Sequence, residues 1–275
     1  MAVRGSMPGF SGSIYVIIDI DDPANPVEAG RWWVPGQNVG AGETSEFAVS
    51  LHGPPYVEGN LAYISYGAAG LVILDITDVT APAFVGQLDF SPPFLPFIGV
   101  HSVLPLPERK LVIAISESIA EDCKEPLNHA SMVSIADPEN PVLLSIFPLP
   151  VPPAGLPYTN FCDKGGRFGP HNINQHFHSP FVEQRDDLVY MTYFNAGLRI
   201  FDITDPRQPE EVGYFIPPEP TERIGTKPSD SLTLQSEDVL VDSRGFIYIT
   251  QKNQGLWILR YTGDHKSKDG KKGKD

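Results

Sequence analysis

Histidine recurs at a set distance ahead of apolar runs. His52 stands eleven residues before Tyr63 in LAYISY, His101 twelve before Ile113 in LVIAIS, and His178 twelve before Tyr190 in LVYMTY. Glu237 holds the same place, eleven before Tyr248 in FIYITQ. One histidine at any of these places would say little, but recurrence at one position says that the side chains are gathered. Neutral imidazole nitrogens with one anionic oxygen form the donor set of a Zn²⁺, Fe²⁺ or Mn²⁺ centre that leaves a position for water or substrate. The competing reading is a lining of polar side chains that satisfy one another and channel water.

The stretch GPHNINQHFHSP offers three histidines for one of these places. Counting selects His178. Context selects His171, which follows a Gly-rich loop in the turn Gly169-Pro170-His171-Asn172. His176 and His178 alternate in period two and so share a face, opposite to His171 only if the strand is unbroken. The metal ligands expected are therefore His52, His101 and His171 or His178, with Glu237 as fourth ligand or general base. Glu117, Glu121 and Asp122 read as a solvated acidic loop near Cys123, although Glu117 ends a second strand and could reach the channel.

These positions need a scaffold that repeats. GLVILDITDVTAP (70–82) returns as GLRIFDITDPRQP (197–209), with weaker copies SIYVIIDIDDPANP (13–26) and ASMVSIADPENP (130–141) and a last one, GLWILRYTG (255–263), that keeps only the strand. Each copy is a buried apolar strand stopped by an Asp/Pro turn: Asp75 and Asp202 can bond backbone amides two residues on, and Pro fixes φ ahead of an edge strand. Before the copy lies a second apolar run, and before that a first strand that starts near the recurring histidine or glutamate. Four strands per unit, repeated, is a β-propeller of four-stranded blades, about five of them, with the first and last incomplete. In that fold the first strands crowd round a central channel.

The first unit supplies only its last two strands, and the last lacks its outer strand and Asp turn. Both ends thus offer a third strand, so simple closure leaves one too many: the ring is open or another chain completes it. Unpaired strands at both ends predict a homo-oligomer. The long loops 91–99, 117–129, 148–170 and 217–234 are where a rigid scaffold places binding groups.

Residues 1–263 read as one domain, and the Lys-rich tail 264–275 as disordered. The formal charge of −14 disfavours nucleic acid. No run approaches a membrane span and the N-terminus lacks a signal-peptide core, so the chain as written reads as soluble, with its compartment open. Cys123 and Cys162 are the only cysteines, compatible with a disulfide or with two free thiols. No P-loop, dinucleotide fingerprint or Gly-x-Ser-x-Gly elbow is present, which removes support for nucleotide and acyl-serine chemistry.

The strings GLVILDITD, GLRIFDITDP and GLWILRY closely resemble the LVIVD-repeat proteins, a β-propeller family, and VEAGRWWVPG, GVHSVLPLPERKLVI, FGPHN and QSEDVLVD look like its C-terminal blades. The resemblance runs from about Ile14 to Tyr261. It implies the propeller fold, favours His171 over His178, and matches His52 and His101 to recurring histidines of such repeats, while carrying over no reaction. The functional expectation is a metal-binding propeller acting on a small organic substrate at the channel mouth by hydrolytic or redox chemistry. Its rival is a non-catalytic binding scaffold.

Overall fold

The computed structural model describes residues 1–44, 49–90, 98–126, 128–224 and 231–263. The tail 264–275, most of the 91–99 loop and part of the 217–234 loop lie outside these residues. β-Branched and aromatic runs stopped by Asp, Pro or Gly form five antiparallel sheets in chain order. The first contains β1 (Ala2–Ser6), β2 (Ser13–Asp19) and β3 (Val27–Trp32); the second β4 (Tyr56–Glu58), β5 (Leu61–Ser65), β6 (Leu71–Asp75) and β7 (Ala83–Leu88). The third contains β8 (Ile98–Leu106), β9 (Leu111–Glu117), β10 (Ala130–Ser134) and β11 (Val142–Ile146). The fourth contains β12 (Leu188–Thr192), β13 (Leu198–Asp202) and β14 (Glu210–Phe215), and the fifth β15 (Ser236–Val241), β16 (Phe246–Gln251) and β17 (Gly255–Arg260).

The all-β propeller architecture expected from the repeats is thus present, with two differences. The first sheet has a further strand: β1 pairs with β2 along its whole length, although AVRGS is too short and mixed to announce itself. In the fourth sheet, the expected first strand is only partly regular. Residues 171–174 run beside β12 through a bridge at Ile173 and backbone bonds from His171 N to Thr192 O and Asn174 N to Tyr190 O. The chain then turns at Phe177 and His178, both left-handed (φ 43° and 60°).

The Asp turns work as expected. Asp19, Asp75 and Asp202 accept from the amides of Asp21, Thr77 and Thr204 at 2.9, 2.7 and 2.7 Å. A second Asp repeats the device three residues on, where Asp22, Asp78, Asp137 and Asp205 cap the next amides.

These turns also join the sheets. Every outer strand of the first four sheets carries a bulge at the same register, where Ile17, Ile73, Met132 and Ile200 oppose Gly30, Gly86, Ser145 and Gly213. Against that residue presses the turn of the following sheet. A Cβ on Gly30 would stand 2.0 Å from the Val79 carbonyl oxygen, and one on Gly86 2.2 Å from that of Pro138. Ser145 fits by donating its hydroxyl to the Pro206 carbonyl at 2.7 Å. The fifth sheet has no Asp turn, and there the Tyr261 ring meets Gly213 instead.

Apolar side chains fill the space between neighbouring sheets: Tyr15 and Ile17 pack with Ile64 and Leu74, one large cluster spans the second, third and fourth sheets, and Tyr190 and Ile200 pack with Val239 and Ile249. The other face of the fifth sheet leaves Leu256 and Ile258 57% and 59% exposed. Among the described residues no helix is long and apolar enough to cross a membrane.

Gly86→Ala is expected to lower stability by about 1–3 kcal/mol, because its neighbour is backbone and cannot yield. Ser145→Ala is expected to lower it by about 1 kcal/mol through one lost hydrogen bond. Urea unfolding midpoints measure both, and a Gly86→Ala protein as stable as wild type would show that the joint has slack.

Candidate metal centre

Backbone approach places the histidines. The His52 amide donates to Ser65 O at the end of β5 (3.0 Å), as the His171 amide does to Thr192 O at the end of β12 (2.9 Å). Ser65 and Thr192 are equivalent residues, so His52 and His171 share one register. His101 lies within β8, where the pairing with β9 shifts between Ile98 and Ser102 and re-aims the side chain. Gly53 lets the second and third sheets meet here, since a Cβ on it would lie 1.9 Å from the His101 carbonyl oxygen. The rings form an arc, with centroids 4.8 Å apart for His52 and His101 and 4.7 Å for His101 and His171.

Glu117, the last residue of β9, occupies the inside of the arc. Its Oε2 lies 3.7 Å from His52 Nδ1 and 3.5 Å from His101 Nε2, and its Oε1 lies 3.6 Å from His171 Nε2 and 3.1 Å from Arg167 Nη1. The contacts to imidazole are too long for hydrogen bonds. Neighbouring donors around a tetrahedral ion at ~2.0–2.1 Å stand about 3.3–3.4 Å apart, so the spacing is close to the edge of a coordination shell. The donor atoms of His52, His101 and Glu117 all lie within 4.8 Å of one another. Glu117 Oε2 and His52 Nδ1 are both buried and have no hydrogen-bond partner. An orphaned pair of this kind fits a shared cation.

The outer partners orient the rings. His171 Nδ1 lies 2.7 Å from the Glu237 carbonyl oxygen, which can only accept, so the proton is on Nδ1 and the Nε2 lone pair faces Glu117. Ser102 Oγ donates to Asn172 Oδ1 (3.3 Å) and stands 2.7 Å from His101 Nδ1, an arrangement that turns the His101 Nε2 lone pair inward. Burial then selects the neutral rings: it holds His101 well below the usual histidine range, presses His171 down to about 3 and lowers His52. Burial also pushes Glu117 up to about 7, against the pull of Arg167. Neutral imidazole is the form that ligates metal.

The loops after β9 and before His171 are fastened together. Cys123 and Cys162 form a disulfide, which decides between the alternatives the sequence left open. The Asp122 amide donates to Gly166 O (2.9 Å), and the backbones of Glu121 and Arg167 pair in an isolated antiparallel β-bridge. This strap carries the Arg167 guanidinium to Glu117.

The structure thus gathers His52, His101 and His171 and leaves two expected residues elsewhere. His178 is away from the group: its Nε2 meets Val57 O (2.8 Å) and its side chain is 55% exposed. Counting selected it because a strand was assumed to continue, and the left-handed pair Phe177–His178 ends that strand. His176 sits with it, bonded to the Tyr56 hydroxyl (3.0 Å). Glu237 lies beside the group, not inside the arc; its Oε1 is held by Arg167 and Lys252 (both 3.3 Å) and its Oε2 lies 3.5 Å from His171 Nδ1. Glu117 takes the central place. Its one signal in the sequence was its position at the end of an apolar run. Arg167 gave no signal, since it lies in a Gly-rich loop whose path is set by tertiary contacts.

Three segments of the chain match the LVIVD repeat model: residues 10–33, 56–89 and 185–216. No curated protein sequence matches the chain. Among solved structures it is similar to apo AztD from Citrobacter koseri, with TM-score 0.40 and 13% identity over 95% of this chain and 60% of that one. A hypothetical selenium-binding protein from Sulfolobus tokodaii gives TM-score 0.38 and 12% identity over 89% and 66%. A structural genomics protein of unknown function from Bacteroides thetaiotaomicron gives 0.32 and 12% over 92% and 68%. The chain spans less than two thirds of the length of the first two.

In chelator-treated protein, His171 is expected to show the ¹⁵N shifts of a neutral, Nδ1-protonated ring throughout the range in which an exposed histidine titrates. The Glu117 carboxyl is expected to titrate near 7. A His171 ring that charges at the ordinary histidine pKa would show that water reaches it.

Proposed function

We propose that this LVIVD-repeat propeller binds one divalent transition-metal ion, zinc, iron or manganese, through His52, His101 and Glu117, with His171 as the adjoining donor. It then acts on a small organic molecule that approaches from the His52 side. The observation that carries this reading is the pair of buried, unpartnered donors, Glu117 Oε2 and His52 Nδ1, facing each other at 3.7 Å. Leaving such groups unsatisfied costs about 1–3 kcal/mol each, and a shared cation offsets both.

When bound, the ion supplies a Lewis acid for a substrate oxygen, or one-electron chemistry if it is iron or manganese. The protein supplies the rest. His52 is the accessible ligand, its side chain 31% exposed against 10% for His101, so substrate reaches the centre past its ring. His176 and His178 reach from the segment after His171 to Tyr56 and Val57 of the second sheet. Glu237 and Ser102 keep the His171 and His101 rings turned inward, and burial keeps them unprotonated.

A second reading, a non-catalytic scaffold that associates through its edges, rests on one observation, the uncovered apolar face around Leu256 and Ile258. It requires no metal.

Elemental analysis of gently purified protein, followed by chelation and titration with Zn²⁺, separates the two. Wild type is expected to hold one equivalent. His101→Ala and Glu117→Ala, folded by circular dichroism, are expected to lose affinity by more than the roughly 10–100-fold typical of an outer-partner change. Wild-type protein that neither retains nor rebinds metal would leave the histidines as channel lining in a scaffold.

A further inference from the structure

The two oxygens of Glu117 do different work. Oε1 is paired with Arg167 Nη1, whereas Oε2, buried, has no hydrogen-bond partner and faces His52 and His101. An arginine fork commonly takes both oxygens of a carboxylate. Here it takes one, and each nitrogen of the guanidinium serves a further acceptor. Nη1 also donates to Ser118 O (3.2 Å), Nε to Gln235 Oε1 (3.2 Å) and Nη2 to Glu237 Oε1 (3.3 Å). From one face the group is fixed by the Phe194 ring, whose centroid is 3.9 Å from Cζ.

Phe194 is itself constrained. It adopts a left-handed backbone (φ 39°), unusual for a bulky residue, and its ring stacks on His171 at 4.5 Å and 25°. A single ring therefore touches both His171 and Arg167.

Resting on the metal-binding reading above, we infer that Arg167 is a positioning residue that makes Glu117 a one-oxygen ligand, and that Glu237 serves by drawing the second guanidinium arm away. Arg167 neutralises Oε1 and holds the carboxylate edge-on. Oε2 alone is then presented to the ion, and the coordination number stays low enough to leave room for substrate. The role sought for Glu237 in the sequence, ligand or base, becomes an indirect one.

Cobalt(II) is the probe, because its visible bands are intense in four-coordinate sites and weak in six-coordinate ones. Wild-type protein is expected to take up one Co²⁺ with intense bands. Arg167→Met keeps the side-chain stem over Phe194 but frees Oε1 to join Oε2 on the ion. Its bands are expected to weaken and its affinity to fall by about 10–100-fold. Arg167→Met with the wild-type spectrum and affinity would overturn the inference while leaving the metal site standing. No cobalt uptake by wild type would instead remove the metal-binding reading and this inference with it. If Arg167→Met does not fold, Glu237→Leu, which removes the acceptor of the second arm, decides: the released arm should close on Glu117 Oε2 and compete with the ion, lowering affinity to a similar degree, and unchanged binding would overturn the proposal.

Discussion

A carboxylate buried where its charge must be answered from several sides organises this molecule. Taking an ionised Glu117 out of water is expensive, and a single partner would not offset it. The chain surrounds it with three imidazoles from three sheets and with one guanidinium from a loop. His101, His171 and Arg167 have outer partners of their own, so the order extends outward through Ser102, Asn172, Phe194 and Glu237. Remove the demand at Glu117 and most of these hydrogen bonds lose their purpose.

Meeting that demand requires separate sheets to be held in a fixed relation to one another. Two devices do so. At a register common to four outer strands, three meet the next turn and the fourth meets the Tyr261 ring, which fixes the sheets relative to one another. Gly53 and the backbone bonds of His52 and His171 then fix the inner rims. The loop bearing Arg167 belongs to neither system, and the Cys123–Cys162 bridge with the Asp122–Gly166 bond substitutes for them.

The repeat made the architecture legible, because Asp turns and apolar runs are local chemistry. His52 and His101 were legible for the same reason, being a set distance from their second strands. Where local rules stopped, reading stopped. His178 satisfied the count but not the fold, since φ at Phe177 and His178 is a consequence of where the chain must turn. Glu117 ends a strand longer than its neighbours β5 and β12, a difference visible only once the strands are paired. Arg167 reaches the site through a disulfide whose partners the sequence left open. The three segments that match the LVIVD repeat exclude His52, His101, Glu117, Arg167, His171 and Glu237. The matched segments thus describe part of the frame, and the gathered side chains lie outside them, some on strands of the third and fifth sheets and some on loops.

The joint between sheets has a further meaning. At Gly30 and Gly86 it is a contact of backbone with backbone, and at Ser145 one small hydroxyl replaces the missing space. Side-chain identity hardly enters, so the interlock spends very little sequence information: one small residue per outer strand and one turn to press on it. A frame specified so sparsely can absorb long and unrelated insertions at its inner rim without losing its alignment, and can therefore carry different binding groups on the same assembly.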